Sequence, residues 1–148
     1  MLAIAAADAR SFIIPNKLTI AAFGLGLTNA ANESLTSMPE NIAVAALRGL
    51  VLALVFFALR EIYLRLRHRH GIGLGDVKLA AVAGAWLDWT LIPLAIEIAA
   101  VTALIAYIAN QLVLRRPICA AAKLPFGLFF APAIWVCWLL NAIFLEFN

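Results

Sequence analysis

Apolar positions along this chain come in long blocks, with neither the strict alternation of a half-buried strand nor the narrow stripe of a surface helix. A helix that crosses a bilayer needs about 20 mostly apolar residues. Reading for such runs predicts helices at 13–27, 42–59, 77–87, 91–114 and 124–145. Pro15 suits the first turn of the first of these, where a missing N–H costs nothing. The segment at 77–87 is short for a full crossing and spans only if it extends or the bilayer thins around it. The expected fold is therefore an all-α, polytopic transmembrane bundle of about five spans, in a single membrane-embedded domain over 1–148.

Composition strengthens that reading. Hydrophobic residues make up 66% of the 148 and charged residues only 13%. A soluble domain of this size leaves too much of its chain exposed to hide so much apolar surface. Disordered chains, disulfide mini-proteins and most soluble enzymes are thereby excluded. Cys119 and Cys137 are too few and too far apart for a disulfide framework or a zinc site. The seven residues before Asp8 are too short for the apolar core of a cleavable signal. Alanine patches at 3–7, 43–46 and 120–122 are small-residue surfaces on which membrane helices approach closely.

Charge placement then sets an orientation. Arg10 and Lys17 flank the first segment; Arg60, Arg65, Arg67, Arg69 and Lys78 lie between the second and third; Arg115, Arg116 and Lys123 lie between the fourth and fifth. Ten of the eleven basic residues thus fall on one alternating set of loops, which the positive-inside rule makes cytoplasmic. The exception, Arg48, is expected to snorkel outward or to pair within the bundle, with Glu97 one possible partner. Trp86, Trp89, Trp135 and Trp138 sit near segment ends as partial interfacial anchors.

Few acidic residues remain to carry chemistry. Glu33, Glu40 and Glu146 read as solvated, Asp88 as a loop residue between tryptophans, and Glu61 as a surface partner for its neighbouring arginines. His68 and His70, two apart, do not share a helix face and read as part of a basic loop. Asp8 and Asp76 differ, because each lies on the basic side at the mouth of a helix. Asp8 opens a polar lead-in through Arg10 to Ile14-Pro15-Asn16. Asp76 ends Gly71-Ile72-Gly73-Leu74-Gly75-Asp76, where the glycines allow close backbone approach and the helix dipole favours a carboxylate. A phosphate-binding loop is disfavoured, since no strand precedes these glycines and the third falls one residue early.

The Gly73-Leu74-Gly75-Asp76 string matches the G-x-G-D signature of intramembrane aspartyl proteases, and the chain resembles the type IV prepilin peptidase family in particular. Three blocks carry the resemblance in order: Asp8-x-Arg10 leading to Ile14-Pro15-Asn16; Gly73 to Leu79 running into Gly84-Ala85-Trp86-Leu87; and Leu124-Pro125-Phe126-Gly127. It implies an aspartic endopeptidase of the bacterial inner membrane that cuts the leaders of pilin-like precursors at the cytoplasmic face. Asp8 and Asp76 would share the acid and base roles on a water. Gly73, Gly75, Lys78, Arg10, Pro15, Asn16, Pro125, Phe126 and Gly127 would bind substrate or shape the site. No metal, cofactor or nucleic-acid partner is implied; the partners are prepilin or pseudopilin leaders and the bilayer.

Two departures from the family bear on that expectation. No paired C-x-x-C motifs are present, so the chain is similar to the short, peptidase-only form of tight-adherence pilus systems and N-methylation is not expected. Family members also carry a membrane helix before the first aspartate, whereas only 1–7 precede Asp8, about 10 Å of helix. Such a start suits either an internal position in a longer gene product or a degenerate copy lacking that helix. The rival readings are accordingly an inactive homologue serving pilus or secretion assembly, and a small transporter subunit using its carboxylates for ion coupling.

Overall fold

The computed structural model describes residues 1–11, 15–32, 38–67, 73–114 and 126–146, and all its regular structure there is helical. Six helices follow one another: α1 (Leu2–Ser11), α2 (Asn16–Asn32), α3 (Met38–Arg67), α4 (Leu74–Trp86), α5 (Leu91–Leu114) and α6 (Phe126–Glu146). The five expected segments all appear, as α2 to α6, and the alanine-rich α1 precedes them. Three helices contain stretches long and apolar enough to cross a membrane, at Glu40–Leu66, Leu91–Val113 and Phe126–Ile143. At 17 and 13 residues, α2 and α4 reach only about 25 and 20 Å.

Local chemistry explains most of the boundaries. Pro15 precedes α2 instead of lying in its first turn, and its carbonyl accepts the N–H groups of Leu18 (3.1 Å) and Thr19 (3.3 Å). The Thr19 hydroxyl donates to the same oxygen at 3.2 Å. α3 runs eight residues beyond the expected end at 59, so Arg60 and Arg65 belong to a helix and not to a loop. Arg, Glu and Leu there are good helix formers, and their polarity marks the end of the apolar block without ending the helix. Arg60 pairs with Glu61 at 2.9 Å, as expected of that glutamate. Between α4 and α5 the chain turns sharply. The Leu87 N–H closes α4 on the Ala83 carbonyl at 2.9 Å, and the Asp88 carbonyl accepts from Leu91 at 3.0 Å to start α5.

Short α4 is the centre of the bundle, packed on α2, α3 and α6, while α5 and α1 pack on α6. Small residues make this possible. A Cβ added at Gly84 would stand 2.6 Å from the Arg48 carbonyl carbon, and one at Gly49 would stand 2.8 Å from the Ala81 oxygen. α3 and α4 therefore meet backbone against backbone, as close-packed membrane helices do. Leu79, Ala80, Val82, Ala83 and Ala85 are buried around this seam. The large apolar residues lie mostly outside: Leu50, Leu54 and Phe57 on α3, and Leu104, Ile105 and Leu112 on α5, are all exposed. An alanine-lined interior under a leucine-rich exterior is the arrangement a lipid solvent selects.

Arg48 departs from one expectation. It is buried, and its guanidinium pairs with Asp88 in the α4–α5 turn, not with Glu97. Glu97 is exposed on α5. The close approach of α3 and α4 at Gly49 and Gly84 carries Arg48 to the end of α4, where Asp88 follows it.

Candidate active site

Asp8 lies in the last turn of α1, 6% exposed. Its Oδ2 accepts the backbone N–H of Leu128 at 3.0 Å, and the N–H of Gly127 also bonds to the carboxylate. Both amides belong to the first turn of α6, whose N–H groups have no partners within their own helix. Asp8 therefore caps α6 from a different helix. Burial raises its carboxyl above the usual range, and the two amides oppose that shift.

Asp76 stands at the third position of α4, after an extended Gly73 (φ −76°, ψ 152°) at the cap. Its Oδ2 accepts the Gly73 N–H at 3.2 Å, and its own N–H donates to the Gly73 carbonyl at 3.2 Å. This is the acidic half of a capping box; glycine has no side chain with which to return the other half. The extended backbone at Gly73 is open to any residue, so the glycine is not required there by conformation. A Cβ at Gly73 would, however, lie 3.5 Å from the Asp76 Oδ2, against one side of the carboxylate. Burial pushes the Asp76 carboxyl up to about 6, the Gly73 N–H opposes that, and the charge of Asp8 raises it further. Asp76 thus feels the charge of Asp8, 68 positions away in the chain.

The other expected site residues are placed as follows. Lys78 Nζ donates to Asn16 Oδ1 at 2.6 Å, tying the N-terminal half of α4 to the start of α2 beside exposed Pro15. Phe126 begins α6 and packs on Phe130, with ring centroids 5.4 Å apart. Gly127 is buried and supplies one of the amides on Asp8. Gly75 is partly buried beside Asp76. Pro125 lies outside the described residues, as do His68 and His70 and the side chain of Arg10. Leu128 is a site residue that sequence reading missed, because it acts through its backbone. Among the described residues no group of three or more His, Cys, Asp or Glu gathers to hold a metal ion.

What the arrangement can do follows from its parts. Two carboxyls with raised affinity for protons, held at the first turns of two helices, can each stay protonated above the usual carboxylate range.

Comparison with known proteins identifies the family. The type IV leader peptidase family matches residues 1–108. The chain is 32% identical over 122 residues to the prepilin leader peptidase/N-methyltransferase of Escherichia coli (strain K12), covering 82% of this chain and 52% of that protein. It is 33% identical over 129 residues to leader peptidase HopD of Escherichia coli, covering 87% and 80% respectively. It is 29% identical over 137 residues to the Pseudomonas aeruginosa prepilin leader peptidase/N-methyltransferase, covering 92% and 45%. The chain spans about half the length of the peptidase/methyltransferase relatives it matches. No solved structure gives a significant match. With a family match over most of its length and a relative whose chain it largely covers, the protein belongs to the type IV leader (prepilin) peptidase family.

Proposed function

We propose that the chain is an intramembrane aspartyl endopeptidase cleaving the leaders of type IV prepilin-like proteins, with Asp8 and Asp76 as its catalytic pair. The observation that carries this reading is that two aspartates, each accepting backbone amides at the start of a helix, lie near enough for the charge of Asp8 to act on Asp76. Asp76, raised to about 6 by burial and further by the charge of Asp8, is poised to hold the shared proton up to about that pH. One carboxylate takes a proton from the attacking water. The other gives a proton to the scissile carbonyl oxygen, and the tetrahedral intermediate then collapses with protonation of the leaving amine. The pair titrates as a unit, so neither residue is assigned a fixed role.

The absence of a side chain at Gly73 leaves one flank of Asp76 free for an extended substrate backbone. The Lys78–Asn16 bond holds the start of α4 against α2. Lys17, Arg60, Arg65 and Lys78 all lie toward the ends of their helices that carry the aspartates. The positive-inside rule then turns the site to the cytoplasmic face of the inner membrane. Pilin-like substrates would lie with their own apolar helices in the bilayer beside it.

The test is leader cleavage in membranes by the wild type and by Asp8→Asn and Asp76→Asn. Each substitution should lower the rate by at least about a hundredfold while leaving protein levels intact, in line with typical losses of an acid or base. Undiminished cleavage in both variants would eliminate the aspartyl reading.

A further inference from the structure

At the end of the bundle remote from the aspartates, a cavity of about 480 Å³ lies between α2, α4 and α6. Asn29 of α2, Trp86 of α4 and Trp138 and Asn141 of α6 line it, together with the Arg48–Asp88 pair. Trp86 follows Asp76 along α4 by about 15 Å, so this space is separate from the catalytic end. Its walls are held firmly. The Trp86 Nε1–H donates to the Ala22 carbonyl at 2.8 Å, and the Trp86 and Trp138 rings meet edge to face at 5.3 Å.

The charges of the cavity are incompletely used. Arg48 is 9% exposed; one terminal nitrogen bonds Asp88, but its Nε has no acceptor among the described residues. A buried guanidinium with an idle donor is costly, and it leaves Arg48 short of acceptors beside the cavity it lines. Asp88 has 58% of its side chain exposed and keeps acceptor capacity beyond its bond to Arg48. A lone anion would meet Asp88 with the wrong sign, and a lone cation would meet Arg48. A ligand carrying both charges a few bonds apart satisfies each.

We propose that this cavity binds the zwitterionic phosphoethanolamine headgroup of a phospholipid. The phosphate accepts from the Arg48 guanidinium, whose planar fork suits phosphate oxygens. The primary ammonium donates to Asp88 and to the Asn29 and Asn141 amide oxygens, close to the Trp138 ring. A bilayer source is favoured over a soluble one by position. Paired tryptophans mark the headgroup level, and exposed Leu140 and Ile143 flank Asn141 where acyl chains would run. This site does not depend on the peptidase reading.

The test is lipid retention by the purified full chain, measured by native mass spectrometry after exchange into equal mixtures of dioleoyl phosphatidylethanolamine, phosphatidylcholine and phosphatidylglycerol. Phosphatidylethanolamine should be retained about tenfold over the others, because choline has no N–H to give Asp88 and glycerol carries no positive charge. Arg48→Gln should abolish that preference. Ala142→Trp, which fills the cavity from α6 and keeps both Arg48 and Asp88, should do the same with helical content unchanged. Equal retention of the three lipids, or a full phosphatidylethanolamine preference in a folded Ala142→Trp protein, would overturn the proposal. Displacement by soluble glycerophosphoethanolamine as readily as by the lipid would overturn the bilayer source.

Discussion

Asp8 and Asp76 are held by the same device, a helix first turn whose amides need acceptors, but on different terms. Asp8 receives two amides from a foreign helix, whereas Asp76 receives one from its own cap. Burial keeps Asp76 protonated until pH rises to about 6, against the pull of that one amide. A pair that must share one proton loses it as pH rises further, so kcat/KM for leader cleavage should fall on the alkaline side of about pH 6, approaching tenfold per unit. A profile measured on a peptide leader checks this. Stability carries the opposite use of the same number. The folded-state value exceeds the ordinary 3.8, so the folded protein loses stability between about pH 4 and about pH 6 as Asp76 ionises. Asp76→Asn keeps an acceptor for the Gly73 N–H and removes that penalty. It should raise thermal stability near pH 7.5 by on the order of 1 kcal/mol, after allowance for the partial exposure of the side chain, and leave it unchanged near pH 4. Thermal unfolding in detergent at both pH values decides. Both aspartates stood out in the sequence because acids are scarce there and each sits in a distinctive string. The amides of Gly127 and Leu128 did not, since every residue but proline has one and only the fold says which are left free.

Among the helices, the α3–α4 seam governs the arrangement. With Gly84 a Cβ's breadth from the Arg48 backbone, Gly84→Ala forces main chain away from main chain, which no rotamer can relieve. It should destabilise the protein by about 1–3 kcal/mol and lower cleavage along with it. Unfolding in detergent, compared with Gly24→Ala on α2, where nothing lies within 4 Å, gives the measure. The seam also accounts for what patterning misjudged about Arg48. Periodicity located it inside an apolar helix, and charge alone suggested Glu97 or a snorkelling side chain. The partner is Asp88, because α4 is short enough to end level with Arg48. The overrun of α3 to Arg67 has a similar cause: apolar blocks report where lipid ends, and helix propensity reports where the helix does.

Taken whole, the molecule is small inside and large outside. Ala99 is fully buried on α5 while Leu104, five positions on, is 57% exposed. Ala99→Leu should therefore cost about 1–3 kcal/mol by overpacking, and Leu104→Ala less than about 0.5 kcal/mol. A soluble core would rank the pair the other way, so unfolding of both variants in one detergent tests the lipid-facing assignment directly. The sequence by itself determined the class, because 66% hydrophobic residues in long blocks satisfy only a lipid solvent. It also pointed to the family and marked the two acids as candidates, because the three strings that carry the resemblance can be read in linear order. Tertiary structure alone decided that Asp8 caps α6, that burial and the charge of Asp8 raise the carboxyl of Asp76, and that Arg48 meets Asp88 at a polar cavity. Those facts concern residues 40 to 120 positions apart. Nothing in the pattern of a single helix records which neighbour's free amides, charge or backbone will come to lie against it.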